Sequence, residues 1–564
     1  MESAVLSHVV GACDEVLLEI TIGEALDRAA ARWGDEPALI DRGQDVRMSW
    51  RALRQHSEAV AAGLLALGLV PGDRIGIWSL NRYEWTLIQF AAAKAGLILV
   101  TINPAYRVAE LEYALGHSGC AALVFAPSFK TSDYRAMIRA VAPELDVAVD
   151  RRLQAARLPG LRRLIQLGPD PIPGAIAFAE LEALGEAAGV EALETLATSL
   201  DRNDPVNIQY TSGTTGAPKG VTLSHRNILN NGYFVGRAME LGHEDRICIP
   251  VPLYHCFGLV MGNLACLTSG AAMVYPGEGF DPVRTLQAVA EERCTTLYGV
   301  PTMFIAALEH VDREKLDLSG LRTGIMAGSP CPIAVMKQVV EKLNMSDVTI
   351  AYGMTETSPV SFQNGIGDSL ERRVSTVGRV HPHLEVKIVD GTGSTVPRGA
   401  PGELCTRGYS VMLGYWNDPV QTAAVKDGEG WMHSGDLAVI DDEGFCNIVG
   451  RIKDMVIRGG ENVYPREIEE FLYRHPAIRE VQVFGVPDDR LGEELCAWVI
   501  LHPGAALTAE ELRLFCKDRI AHQKVPRYVR FVEAYPLTAT GKAQKFLMRD
   551  AMAAELQVAA PATA

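Results

Sequence analysis

Between Pro205 and Leu229 the chain reads strand, loop, strand, helix, and no other stretch narrows its fold so far. Pro205-Val206-Asn207-Ile208-Gln209-Tyr210 alternates as a half-buried strand does, Val221-Thr222-Leu223 resumes a strand, and Ser224 stands as an N-cap before Ile228 and Leu229. The connecting run, Tyr210 to Gly220, is Tyr-Thr-Ser-Gly-Thr-Thr-Gly-Ala-Pro-Lys-Gly. Gly213, Gly216 and Gly220 let backbone N–H groups approach a polyphosphate without a Cβ in the way; Thr211, Ser212, Thr214 and Thr215 add hydroxyl donors, and Lys219 adds a mobile positive charge. A Walker A loop places Lys and Ser/Thr directly after its second glycine. Here Ala217-Pro218 intervenes between Gly216 and Lys219, so the P-loop fold is not indicated. By composition alone the same run also suits a flexible surface loop.

Upstream, helix and strand patterns alternate. Thr21-Ile22-Gly23-Glu24 has capping-box form, Pro37 to Ile40 and Val46 to Met48 read as strands, and a helix from Ser49 to Leu67 stops at Gly68. Strand Arg74 to Trp78, helix Glu84 to Ala95 and strand Gly96 to Val100 follow, then helix Val108 to Gly116 and strand Ala121 to Phe125. Such alternation predicts parallel α/β sheets. From about 128 to 200 the pattern is poor, and the Arg-rich stretch Arg151 to Arg163 reads as a surface excursion with no assigned function. From Gly378 to Ile448, short strands between Gly, Pro and Asp turns predict a small β-rich subdomain. Beyond Gly450-Arg451-Ile452-Lys453-Asp454 the pattern is compact α+β, with a helix from Tyr464-Pro465, strands at 481–486, 496–500 and 528–532, and a capping box at Thr508 and Glu511. The predicted organisation is α/β: a large N-terminal domain, 1–452, of parallel α/β sheets plus the β-rich subdomain, and a smaller, mobile α+β domain, 453–564, ending in a disordered tail after about Leu556.

A net charge of −16 over 564 residues argues against nucleic-acid binding. Positive charge is concentrated instead between Lys517 and Arg549, with eight Lys/Arg against two acids. Eleven cysteines without a Cys-x-x-Cys pair suggest neither a disulfide framework nor a structural metal, and point to reduced, cytoplasmic thiols. Glu2, Asp14, Glu15 and Glu19 precede any arginine, unlike a transit peptide. The apolar window Gly258 to Tyr275 is interrupted by Asn263, Thr268 and Ser269, so a buried helix and strand is expected there and no membrane span. An acidic homodimer is the default expectation for assembly.

After the apolar run Val348 to Ile350 comes Ala351-Tyr352-Gly353-Met354-Thr355-Glu356. It offers an aromatic ring to stack on a base, a hydroxyl for an α-phosphate and a carboxylate for Mg²⁺. With the glycine-hydroxyl loop upstream, these strings resemble the signature of the adenylate-forming superfamily, which contains acyl-CoA synthetases, luciferases and the adenylation domains of peptide synthetases. The likeness runs from about residue 20 to about residue 550.

That resemblance implies roles for further residues. His255, in Pro252-Leu253-Tyr254-His255-Cys256-Phe257-Gly258, would position the acid; by itself a lone His in an aromatic loop is more often structural. Leu297 to Pro301 would line an acyl pocket shared by Phe257, Val300, Met303 and Gly328. Ala327, Gly328 and Ser329 would face the adenine, Asp436 and Arg451 the ribose, and Lys453 would be the hinge of the C-terminal domain. Arg458-Gly459-Gly460 would border a pantetheine tunnel, and Lys542 would bridge the carboxylate and the α-phosphate. The implied reaction uses ATP, Mg²⁺ and coenzyme A to convert a carboxylic acid to acyl-AMP and then acyl-CoA. The overall wording, including Val411 to Trp416, resembles medium-chain fatty-acid ligases. Delivery to a carrier protein, an aryl or branched acid, and luciferase-type oxidation share these motifs; a catalytically idle nucleotide binder would be expected to lack Glu356, Asp436 or Lys542, and all three are present.

Overall fold

The computed structural model describes residues 5–211, 218–314, 316–459, 461–517, 519–538 and 542–556. Two large sheets organise the N-terminal part of the chain. One runs, in spatial order, through Ile176–Ala177, Arg163–Gln166, Cys120–Phe125, Arg74–Trp78, Ile98–Thr101, Pro205–Thr211, Lys219–Ser224 and Gly414–Tyr415. It is parallel as far as Pro205–Thr211 and antiparallel beyond. The other runs through Arg379–Val380, Val360–Gln363, Asp347–Gly353, Thr323–Ala327, Thr296–Gly299, Arg246–Cys248, Ala272–Tyr275, Pro37–Asp41 and Val46–Ser49. Its inner strands are parallel and, like Cys120–Phe125 in the first sheet, buried almost residue for residue, as helices on both faces require.

The early alternation therefore does not build a single sheet. Pro37–Asp41 joins the second sheet and Arg74–Trp78 the first, while helices Ile22–Trp33, Trp50–Ala66 and Tyr83–Lys94 pack together with Trp50 and Trp85 wholly buried. Thr21 caps the first of these helices, accepting from Glu24 N; the Glu24 carboxylate turns to Arg28 at 2.6 Å in place of closing a capping box. The apolar window is buried helix and strand: Phe257–Leu264 is a π-helix and Ala272–Tyr275 a strand. Asn263 is paid for inside the core, donating to Gln89 Oε1 at 2.8 Å and accepting from Tyr275 Oη at 2.7 Å.

Within the poorly patterned stretch from 128 to 200, the Arg-rich run 151–163 is anchored to the first sheet. Arg163–Gln166 is a strand of the first sheet, and Leu153, Leu158 and Leu161 are buried between the arginines. Arg162 pairs with Asp73 at 2.6 Å and Arg163 Nε donates to Leu67 O at 3.1 Å, so these charges hold the segment against the sheet. The β-rich subdomain is a five-stranded antiparallel sheet, ordered His8–Val10, Leu384–Val389, Gly402–Gly408, Met432–Ile440 and Cys446–Arg451. A 3₁₀ turn, Ile452–Asp454, then leads to a separate sheet made of Val456–Arg458, Glu461–Val463, Ile478–Asp488, Gly492–Leu501 and Tyr528–Phe531. Helix Lys545–Glu555 closes the described chain; the predicted disordered tail lies outside the described residues. No helix among the described residues is long and apolar enough to cross a membrane.

Two buried histidines tie stability to pH. His225 and His381 are 2% and 3% exposed, and burial holds their imidazoles down to about 4 and about 3. His225 Nδ1 accepts from Ile22 N at 3.1 Å, a bond that protonation would break. Because both folded values lie below the ordinary 6.5, the unfolded chain takes up protons first. The stability they contribute is whole above about 6.5 and is lost as pH falls from there, at up to about 1.4 kcal/mol per histidine per unit. Urea midpoints should therefore drop steadily from about pH 6.5 to pH 4.5, and less steeply in His381→Gln. Equal slopes in the two proteins would remove His381 from the account.

Candidate active site

Thr211 pairs with Lys219 across the antiparallel hairpin, so the strand ends hold the mouth of the glycine-hydroxyl loop. Ser212, Gly213, Thr214, Thr215 and Gly216 lie outside the described residues. Both loop ends are tied to helix Val108–Ser118. Tyr210 Oη, 2.9 Å from His117 Nδ1, donates to Ala114 O at 3.2 Å, while Tyr113 Oη donates to Pro218 O at 3.2 Å. Lys219 Nζ donates to Gln421 Oε1 at 2.7 Å and lies 5.0 Å from the centroid of the Tyr415 ring. If the run 211–219 holds a nucleotide's phosphates, as the sequence resemblance implies, Tyr113→Phe, losing one neutral hydrogen bond of ~1 kcal/mol, should raise KM for ATP about fivefold with kcat preserved. A matching fall in kcat would place Tyr113 in the chemistry and not in loop placement.

Strand Asp347–Gly353 delivers Tyr352 and Gly353, and the 3₁₀ turn Thr355–Thr357 directly after it delivers Thr355 and Glu356. A Cβ on Gly353 would lie 1.7 Å from Pro359 O, so only glycine lets the strand turn here. Glu356 is 7% exposed and its Oε1 accepts from Tyr415 Oη at 2.8 Å. Burial pushes its carboxyl above the usual range, against the hydrogen bond from Tyr415 and the positive charges of Lys219 and Arg451. One buried carboxylate beside Lys219 and Arg451 has the chemistry to suit Mg²⁺, which takes few protein oxygens and fills its shell with phosphate and water.

Asp436, given by the resemblance as a ribose contact, is placed by the strand Met432–Ile440, next to a local kink at Gly435, whose φ is +70°. Its Oδ2 accepts from Tyr352 Oη at 2.5 Å and its Oδ1 from Arg451 Nε at 3.2 Å; Arg451 is its cross-strand partner. Ala327 ends the strand Thr323–Ala327, and Gly328, with φ +90°, turns the chain beneath the cleft, leading to Ser329. A Cβ at Gly328 would meet Val300 Cγ1 at 3.1 Å and Lys542 Cε at 3.8 Å, which places Lys542 over this turn.

Lys542 thus reaches the N-terminal cleft from the C-terminal unit. Burial and the neighbouring Arg451 lower its ammonium pKa, while Asp436 and Glu356 act to hold the charge. Opposite it, burial and the Lys542 charge hold His255 down to about 3, so the imidazole is neutral. His255 Nδ1 accepts from Phe257 N at 3.3 Å, which leaves the proton on Nε2, free to donate. Cys256 Sγ donates to Gln209 Oε1 at 3.2 Å, joining this loop to the strand Pro205–Thr211. The arrangement is held by Arg466 Nη1, which donates to Ile448 O at 2.7 Å, and by an Arg479–Glu309 ion pair at 3.5 Å.

Three predicted residues are not gathered here. Arg458 pairs with Glu494 at 2.5 Å and Gly459 N donates to Leu491 O at 2.8 Å, both inside the C-terminal unit; Lys453 sits in the turn Ile452–Asp454. Gly460 lies outside the described residues. Sequence reasoning missed Tyr415, Gln421, Tyr113 and His117. Tyr415 and Trp416 stood out as part of an aromatic-glycine string, but the string does not say which carboxylate Tyr415 meets.

Residues 26–416 match the family model of the AMP-binding enzyme, and residues 467–542 that of the AMP-binding enzyme C-terminal domain. The chain belongs to the AMP-binding enzyme family. A Bacillus subtilis (strain 168) protein, YngI, is 48% identical over 535 residues, 95% of this chain and 97% of its own. The mitochondrial medium-chain acyl-CoA ligase ACSF2 of Macaca fascicularis is 45% identical over 560 residues, 98% of this chain and 90% of its own. Among solved structures, the anthranilate CoA ligase AuaEII in complex with anthranoyl-AMP superposes with a TM-score of 0.86 at 27% identity, covering 96% of this chain and 99% of that one.

Proposed function

We propose that this protein is an AMP-forming acid–CoA ligase acting on an aliphatic, medium- to long-chain carboxylic acid. The observation that carries this is the meeting of Lys542 with Glu356, Asp436 and His255 in one cleft. In the first half-reaction a carboxylate oxygen attacks the α-phosphorus of ATP, and the bond to the bridging oxygen breaks with release of pyrophosphate. Lys542 stabilises charge shared between the carboxylate and the α-phosphate, and Thr355 donates to the α-phosphate. Lys219 and the loop 211–216 hold the departing pyrophosphate. Glu356 is the residue to hold Mg²⁺, which when bound neutralises phosphate charge. His255 Nε2 orients the acid.

Asp436 and Arg451 take the ribose hydroxyls, Tyr352 stacks on the base, and Gly353, Ala327, Gly328 and Ser329 shape the adenine's surroundings. In the second half-reaction the CoA sulfur attacks the acyl carbonyl, AMP leaves with the C–O bond electrons, and the thiol proton passes to solvent. For that step the unit from Lys453 onward turns at the Ile452–Asp454 hinge, which withdraws Lys542 and brings Arg458, Gly459 and Gly460 to the cleft. The boundary is drawn at 452/453 because Cys446–Arg451 belongs to one sheet and Val456–Arg458 to another. Acyl length is taken from the named medium-chain relative, and the apolar surroundings of Phe257, Val300 and Met303 favour a hydrocarbon chain. Ten buried, free cysteines favour a reducing compartment such as the cytoplasm.

The test is pyrophosphate release with ATP and Mg²⁺ over straight-chain acids of increasing length plus benzoate, each with and without CoA. Turnover stimulated by CoA and peaking at one intermediate length is expected. Release indifferent to CoA would overturn the ligase reading in favour of delivery to a carrier protein, and a maximum with benzoate would overturn the aliphatic assignment.

A further inference from the structure

The β-rich subdomain carries a second constellation, on a different pair of strands from the cleft residues of the large sheets. Gly402–Gly408 and Met432–Ile440 run antiparallel with Cys405 directly opposite His433, and Glu403 lies two residues before Cys405. Alternate residues of a strand share a face, so three donors of different kinds converge. His433 Nδ1 lies 3.0 Å from Glu403 Oε2 and 3.4 Å from Cys405 Sγ, and the three donor atoms are all within 4.8 Å of one another.

From these positions we infer that Glu403, Cys405 and His433 form a binding site for a borderline divalent transition ion of the Zn²⁺ class, with solvent in the fourth position. Neighbouring ligands on a tetrahedral Zn²⁺ stand about 3.3–3.7 Å apart, so the two short separations need only a small outward shift. A thiolate–imidazole pair disfavours Mg²⁺ and Ca²⁺, which separates this site in chemistry as well as in place from the oxygen ligand Glu356. Asp427 Oδ2 stands 3.8 Å from His433 Nε2, on the side away from the cluster, where a carboxylate fixes the tautomer of a metal-bound imidazole.

The local cations are engaged elsewhere. Lys387, opposite Cys405 on the next strand, has its ammonium 4.4 Å from the Trp431 ring centroid, and Arg407 pairs with Glu385 at 2.5 Å. Cys405 is fully buried. Binding breaks its S–H bond, sends the proton to solvent and forms a sulfur–metal bond. Entry is open from the other side, where the Glu403 and His433 side chains are 24% and 34% exposed. No Cys-x-x-Cys spacing advertises the site, because the ligands come from two strands. Glu403 Oε1 also accepts from Gly435 N at 3.0 Å, so the ion would cross-link the two strands immediately beside Asp436.

The experiment uses the full chain after chelator treatment, in a Cys13→Ser background that removes the exposed thiol. Titration with Co²⁺ should give a thiolate-to-cobalt charge-transfer band saturating at about one equivalent. It should vanish in Cys405→Ser, and Zn²⁺ affinity should fall at least about tenfold in His433→Gln. Added Zn²⁺ should raise the thermal midpoint of the parent protein and leave that of Cys405→Ser unmoved. A variant that fails to fold is bypassed by zinc K-edge absorption on the parent, where a mixed sulfur and nitrogen/oxygen shell is expected. No charge-transfer band, a band that survives Cys405→Ser, or a shell without sulfur would each overturn the site and leave a hydrogen-bonded cluster.

Discussion

Lys542→Ala should lower acid-dependent ATP–pyrophosphate exchange by about 10²–10³-fold, the equivalent of ~3–4 kcal/mol for a preorganised charge aimed at a developing one. Thioester formation from pre-made acyl-AMP and CoA should stay near the parent rate. The size of the effect follows from where the ammonium sits. It lies over Gly328 in a cleft that already holds Arg451, and burial lowers its pKa, so the surroundings tax a cation that has no partner phosphate to meet. ATP and the acid bring the negative charge that relieves this cost, most of all as the two anions are joined. Rapid-quench measurement of each half-reaction checks the expectation. Equal losses in both would mean that Lys542 holds the two units together and does not act on the α-phosphate.

The second large effect is the reverse split. Lys453→Pro should leave adenylation near the parent rate and slow thioester formation by on the order of 10²-fold, the cost of holding reacting groups out of line. Lys453 lies in the 3₁₀ turn between the two sheets. Proline fixes φ near −65°, a value the first turn of a helix accepts, and the contact of Arg466 with Ile448 O lies outside the substituted turn. A rotation that needs another φ at this residue is blocked. If both half-reactions slowed alike, the turn would be a strut and the pivot would lie elsewhere.

The candidate site could be read from the sequence as far as its residues stand in short strings at strand ends, where one run of sequence fixes both the local turn and the direction of the next side chain. Tyr352 to Glu356 and Ile325 to Pro330 are of this kind. Hidden from the sequence were the pairings between strings. Tyr415 meeting Glu356, Tyr113 holding Pro218 and Arg458 locked to Glu494 depend on which strand neighbours which. Periodicity tells which face a residue occupies and not what covers it. Gly435 shows a specific ambiguity: a glycine kink inside a long strand reads like the turn that ends one. In the 151–163 stretch, single buried leucines spaced among arginines gave no period to detect.

The strand Pro37–Asp41 has a further consequence, for the order in which the chain can be made. Leu39 pairs with Met273, so the ribosome must deliver more than two hundred further residues before this strand finds its sheet. At ordinary elongation rates that is a delay of roughly 10–50 s. Throughout it the hairpin with Val46–Ser49 carries an unsatisfied edge, and Ala38 and Leu39, wholly buried in the finished protein, await their partner. Arg74–Trp78, by contrast, has both of its sheet neighbours by residue 125. The nascent chain therefore presents a three-stranded start of the first sheet while the strand Pro37–Asp41 still waits, an exposed apolar edge of the kind that favours aggregation until its partner arrives.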